Sequence, residues 1–171
     1  MKSELDEKLV KKYPIIFKDR YKDPQQTCMC WGFPGDGWYD LIDKLCWDIT
    51  KIIEDYKIDV TAVQVKEKFG GLRFYVTISG RYNKRFLFWF ENKLFDLFSK
   101  FKKDKYWYKY HMFRQKIFKT PSEKIFSLIE KAEDDSYKIC ESCGAKAKPR
   151  GKYYVVTLCD ACWKKVNKES K

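Results

Sequence analysis

Four cysteines near the end of the chain have the types and spacing to do chemistry: Cys140-Glu-Ser-Cys143, fifteen residues, then Cys159-Asp-Ala-Cys162. Two CxxC turns at this separation are the pattern of a four-thiolate structural metal site, each turn offering two sulfurs to one tetrahedral ion. Zinc is the expected ion. Gly144, directly after the second ligand, supplies the backbone freedom a metal-binding knuckle needs. Tyr153 to Thr157 is β-rich and predicts a strand returning to the second pair, so the expected shape is a zinc ribbon. A redox pair or a set of buried thiols would leave the matched spacing a coincidence. A closed site of four sulfurs has no open coordination position, so one structural zinc per chain is predicted, and its binding free energy is folding free energy for the module.

The other candidates for chemistry are weaker. Cys28, Cys30, Cys46 and the sole histidine, His111, could supply three thiolates and an imidazole, but their spacing does not argue for a second ion. Cys46 falls on the line Ile42, Cys46, Ile49, Ile53, where a thiol packs as a small apolar side chain. His111 lacks the HxE or HExxH context of metal-assisted hydrolysis or deamination. No GxSxG, Walker-type or dinucleotide-binding glycine pattern occurs, and the glycine pairs Gly35, Gly37 and Gly70, Gly71 read as turns. Asp40 with Asp43 and Asp134 with Asp135 suit solvated helix faces and lack a base. No residue is assigned a catalytic role, and the chain is not expected to be an enzyme. Lys66, Glu67, Lys68 and Arg73 around the hairpin tip could form an ionic cluster, for which the ordinary reading is a solvated turn.

Charge carries the remaining signal. The formal net charge is +12 over 171 residues, and it is segregated. Residues 1–80 hold 13 basic and 13 acidic groups, residues 81–120 hold 12 and 3, residues 121–137 hold 2 and 5, and residues 138–171 hold 9 and 3. Two basic blocks favour phosphate-rich or acidic partners. The stretch Lys105 to Lys119 interleaves cations with aromatic rings, the combination that neutralises phosphates and stacks on unpaired bases. The candidate nucleic-acid contacts are Lys102, Lys103, Lys105, Trp107, Lys109, Arg114, Lys116 and Lys119. The competing reading makes the rings core and the lysines a solvated face.

The elements that must position these groups follow from periodicity. Ser3 and Asp6 cap a short helix with Leu5, Leu9 and Val10 on one side, ending before Pro14. Residues 14–35 read mostly as loop. Asp36 caps a helix running to about Tyr56, with Trp38, Leu41, Ile42, Leu45, Ile49, Ile52 and Ile53 at helical spacing. Val60 to Ser79 is a hairpin broken at Gly70 and Gly71. Helical spacing returns over 84–102, and 105–119 is left unassigned. Thr120, Pro121 and Glu123 open a third helix with a capping box, burying Ile125, Leu128, Ile129 and Ala132. The fold class is α+β: helices packed on a small hairpin in residues 1–137, with the basic insertion 81–120, followed by a four-cysteine zinc ribbon in 138–171. With 44% apolar and 18% aromatic residues, a core rich in flat rings is expected. No apolar run has signal-peptide or membrane-span length, and reduced thiols suit an intracellular compartment, so a cytoplasmic protein without membrane contact is expected.

Three segments carry a resemblance: CMCWGFPGDGWYDLIDKLC from Cys28 to Cys46, QVKEKFGGLRFY from Gln64 to Tyr75, and AEDDS followed by CESCG and TLCDAC. Together they cover about half of the chain, which resembles a group of small phage and prophage proteins known as hypothetical proteins with a C-terminal zinc ribbon. The group has no established activity to carry over. The chain departs from it over 81–120, where the group is shorter and less aromatic. The expected function is therefore non-catalytic binding of nucleic acid, RNA favoured, or of a host ribonucleoprotein. For a phage-encoded protein in the host cytoplasm, this extends to inhibition of an RNA-guided defence nuclease, as anti-CRISPR proteins do. The alternative is an inhibitor or adaptor that binds protein through the zinc ribbon without contacting nucleic acid.

Overall fold

The computed structural model describes residues 1–80, 93 and 119–169. The helix expected over 84–102 lies outside these residues apart from Lys93, as do His111 and the candidate contacts Lys102, Lys103, Lys105, Trp107, Lys109, Arg114 and Lys116. The described elements are α1 (Ser3–Lys12), α2 (Tyr39–Tyr56), β1 (Asp59–Lys68), β2 (Gly71–Ser79), α3 (Pro121–Ser136), β3 (Lys148–Arg150), β4 (Val156–Leu158) and α4 (Asp160–Glu169), with 3-10 turns at Cys28–Trp31 and Asp36–Trp38. The architecture is α+β, with two separate two-stranded antiparallel sheets, β1-β2 and β3-β4.

The core forms where the apolar stripes of α2 and α3 meet the inner face of the β1-β2 hairpin. Ile42, Leu45, Cys46, Ile49, Ile52 and Ile53 come from α2, and Ile125, Ile129 and Ala132 from α3. Val60, Ala62, Val65, Leu72 and Phe74 come from the hairpin. The chain between α1 and α2 is irregular yet deeply buried at Ile16, Phe17, Met29 and Phe33. Phe17 meets Phe33 edge-on at 4.9 Å and Phe74 at 6.3 Å, so aromatic packing offsets the missing regular structure.

Strand pairing runs from Asp59↔Ser79 to Lys68↔Gly71, with a bulge between Ala62 and Gln64 that leaves Val63 outside the ladder. The turn is Phe69-Gly70, both at positive φ (55° and 76°), as a two-residue mirror-image turn requires. Gly71 is already in the strand. Its role is space, because a Cβ there would lie 2.4 Å from the Tyr137 ring. The outer edge of β2 is closed by α3: Leu72 N–H donates to Ser136 Oγ (2.9 Å) and Phe74 N–H to Glu133 Oε1 (3.1 Å). On the far edge, Ala62 N–H donates to Ile16 O at 2.8 Å. Side chains and loop thus take up donors that an open edge would expose.

The capping box at α3 forms as the sequence predicts, with Thr120 Oγ1 accepting from Glu123 N–H and Glu123 Oε2 from Thr120 N–H. Neither the Ser3–Asp6 cap expected for α1 nor the Asp36 cap expected for α2 forms, and Ser3 is already the first residue of α1. Helix α1 starts after Lys2 without a side-chain cap. Asp6 instead turns inward to a forked pair with Arg20 (Oδ1–Nε 3.0 Å, Oδ2–Nη2 2.7 Å), while Arg20 Nη1 donates to Cys30 O. Asp36 lies in the 3-10 turn ahead of α2 and accepts from Lys2 N–H at 2.6 Å. In both places a partner from a distant segment, the Arg20 guanidinium for Asp6 and the Lys2 amide for Asp36, takes the carboxylate in place of the helix's own first amides. The strand expected over Tyr153–Thr157 also shifts: Gly151 (φ 97°) turns the chain, Tyr153 and Tyr154 lie in that turn, and β4 begins at Val156.

Candidate metal centre

The two CxxC turns bring their sulfurs together. Cys140 and Cys143 follow α3 on a knuckle, and Cys159 and Cys162 sit where β4 gives way to α4. The four Sγ atoms lie within 4.8 Å of one another, and Cys143 Sγ stands 3.7 Å from Cys159 Sγ. A tetrahedral ion with metal–sulfur bonds of about 2.3 Å would separate its ligands by about 3.8 Å, so the arrangement fits one metal ion and is far too long for a disulfide. The set can hold a metal such as zinc, and its ligands leave no open position for chemistry at the ion.

Local hydrogen bonds shape both turns. In the first, Cys140 N–H donates to Ala145 O (2.7 Å) and Gly144 N–H to Cys140 O (2.8 Å). Gly144 takes φ 78°, the conformation its position after the second ligand predicts. In the second, Cys162 N–H points at Cys159 Sγ at 3.4 Å. That amide is the main cause that brings the Cys159 thiol down to about 7, whereas bonding to Cys159 pushes the Cys162 thiol up to about 12. Four thiolates at this separation repel one another, and a divalent cation among them reverses the repulsion. Arg150 closes the small sheet onto α4, donating to Leu158 O (2.9 Å) and to Asp160, with its guanidinium 6.0 Å from the Trp163 ring centroid.

The centre is built into the helical core at two joints. At the first, Gly37 N–H donates to Glu141 O (2.8 Å), Gly35 N–H to Glu141 Oε1 (3.2 Å), and the buried Trp38 indole to Ile139 O (2.9 Å). Burial pushes the Glu141 carboxyl above the usual carboxylate range, and the bond from Gly35 partly opposes that. Contact here is so close that a Cβ on Gly37 would sit 2.0 Å from Cys140 O. At the second joint, Thr157 Oγ1 donates to Gly70 O, Arg73 Nη2 to Tyr137 Oη (3.0 Å), and Gly71 lies under the Tyr137 ring. The three segments behind the sequence resemblance therefore meet in space around the cysteines. Gly35, Gly37, Trp38, Gly71 and Tyr137 were not singled out as site residues, and the signal available for them was the GFPGDGW and FGGLRFY glycine pairs, read only as turns.

The remaining candidates separate. Cys46 is buried in α2, as its place on the apolar line predicts, and burial pushes its thiol well up. Cys28 is exposed, and Cys30 donates its thiol proton to Thr27 O. Among the described residues no second group of three or more Cys, His, Asp or Glu ligand atoms comes together. Asp43 pairs with Lys12 (2.7 Å) and accepts from Tyr13 Oη (2.9 Å). Of the eight candidate nucleic-acid contacts, Lys119 is described: it is exposed and donates to Ser127 Oγ at 3.0 Å. No described helix is long and apolar enough to cross a membrane. Comparisons of the chain with protein-family models, with curated proteins and with solved structures give no match.

Proposed function

We propose that this chain is a non-catalytic nucleic-acid-binding protein, RNA favoured, in which Cys140, Cys143, Cys159 and Cys162 hold one structural zinc and so present the β3-β4 loop to its partner. One observation carries the reading. Residues 142–158 contain Lys146, Lys148, Arg150 and Lys152 and no acidic residue, and Tyr153 and Tyr154 at the loop tip are 94% and 74% exposed. Arg150 is spent internally on Leu158 and Asp160, which leaves three exposed lysines beside two exposed rings. Cations for phosphates and flat rings for bases are the two parts of a single-strand binding surface. The block at 81–120, with 12 basic against 3 acidic residues, is a second part of the sequence suited to a phosphate-rich partner.

A ribonucleoprotein presents the same phosphate and base chemistry. Inhibition of an RNA-guided nuclease, suggested by the resemblance to phage proteins, is a narrower form of this proposal. The test is affinity for a single-stranded RNA at two salt concentrations. Three lysine contacts give a logarithmic slope of about −2, so binding falls about twentyfold between 50 and 200 mM salt. Replacing Lys146, Lys148 and Lys152 with Ala flattens that slope. No binding at low salt, or binding indifferent to salt, contradicts the reading and leaves the protein-directed adaptor in its place.

A further inference from the structure

The tip of the β1-β2 hairpin carries an aromatic residue where both local forces disfavour one. Phe69 holds φ 55°, a conformation rare for bulky side chains, in a turn that Asn, Asp or Gly would fill without strain. Its ring is 69% exposed and lies outside the apolar core. A residue kept against turn preference and against burial is expected where it meets something outside the chain.

The surroundings say what that something is. On the solvent face of the hairpin, Lys66 pairs across the ladder with Arg73 and Gln64 with Tyr75. Lysine ammonium groups stand 5.5 Å from the Tyr75 centroid (Lys66), 5.3 Å from that of Phe69 (Lys68) and 5.7 Å from that of Tyr153 (Lys152). Glu67, the carboxylate beside the tip, accepts from Gly70 N–H and is turned to the backbone. Gly70 packs against Val155 and Thr157, so the hairpin tip and the exposed Tyr153-Tyr154 loop border one seam. Phe69 with Lys68 and Tyr153 with Lys152 belong to the two sides of this seam, and Tyr75 with Lys66 extends the same pairing of exposed ring and cation along the hairpin.

We propose that this seam is a stacking platform for unpaired nucleotides, with Phe69 and Tyr75 receiving bases and Lys66, Lys68 and Lys152 receiving phosphates. The inference rests on the nucleic-acid reading above and adds a site and a strand state. Rings standing on a convex surface can stack on bases that are already splayed out, whereas a duplex keeps its bases stacked on each other and offers only phosphates.

Labelled oligouridine and a labelled RNA duplex of equal length, titrated by fluorescence anisotropy at low salt, test it on the full chain. The single strand is expected to bind at least tenfold more tightly than the duplex. Phe69→Asn suits the turn, so it is expected to melt at or above the parent temperature while binding the single strand about tenfold more weakly. Phe69→Trp keeps a stacking ring and is expected to retain binding. Tyr75→Thr, which suits a strand, is expected to lose binding several-fold. Parent-like binding by folded Phe69→Asn, or equal affinity for single strand and duplex, overturns the platform while leaving general nucleic-acid binding in place. A parent that binds neither oligonucleotide removes both readings.

Discussion

Replacing Gly37 with alanine should show how firmly the cysteine knuckle is seated on the helical core. The added Cβ would stand 2.0 Å from Cys140 O, 2.3 Å from Gly144 N and 2.7 Å from Cys143 N, all backbone atoms with no side-chain freedom to retreat. Gly37 lies in the 3-10 turn and does not occupy the left-handed region. Alanine there would by itself stabilise the chain by about 0.4–1 kcal/mol through the unfolded state. The collision has the opposite sign and is larger. Overpacking of this kind costs about 1–3 kcal/mol. Withdrawal of the knuckle also stretches the bonds from Gly37 N–H to Glu141 O and from Trp38 Nε1 to Ile139 O. Each is worth about 1 kcal/mol net, with up to about 2 more if the indole N–H is left unpaired. The expected loss is about 3–5 kcal/mol, a large part of the stability of a domain this size. Urea unfolding of zinc-loaded protein measures it, with competition against a chromophoric chelator as the second readout, because displaced knuckle amides should also weaken metal binding. A Gly37→Ala protein that unfolds within 0.5 kcal/mol of the parent and holds metal equally well would refute the close seating.

Two further substitutions test other parts of the scaffold. Arg20→Ala strands the Asp6 carboxylate, whose side chain is 11% exposed, and should cost about 3 kcal/mol in urea unfolding, with the Asp6→Ala, Arg20→Ala double variant losing less than the two singles combined. Gly71→Ala drives a methyl group into the Tyr137 ring and should cost about 1–3 kcal/mol by thermal melting, part of which Tyr137→Ala recovers in the same background.

The parts of this fold that were legible in the sequence are those whose signals are local. The spacing of Cys140, Cys143, Cys159 and Cys162 brought them together as expected, because each CxxC turn closes through amides only a few residues away. The Thr120 capping box and the hairpin alternation are likewise settled within a few residues. Asp6 and Asp36 show the limit. Asp36 has the composition of a helix cap and Asp6 that of the acidic residue following a Ser3 cap, but Arg20 takes Asp6 and the Lys2 amide takes Asp36, partners that no local pattern reveals. Tyr153 and Tyr154 have strand propensity, yet the Gly151 turn delays β4 and places them at its exposed tip. The glycines of GFPGDGW and FGGLRFY were visible as turns. Their closer role, room for the Cys140–Gly144 backbone and for Tyr137, depends on what lies across from them after folding.

In the proposed reading, Cys140, Cys143, Cys159 and Cys162 hold one zinc ion as four thiolates, and that ion fastens the C-terminal module to the core. Zinc K-edge X-ray absorption on the purified protein, with metal content measured on the same sample, tests it most directly. The expected result is about one zinc per chain with four sulfur neighbours at about 2.3 Å and no nitrogen or oxygen in the shell. A fully folded protein that carries no metal, or a zinc shell containing nitrogen or oxygen donors, would contradict it.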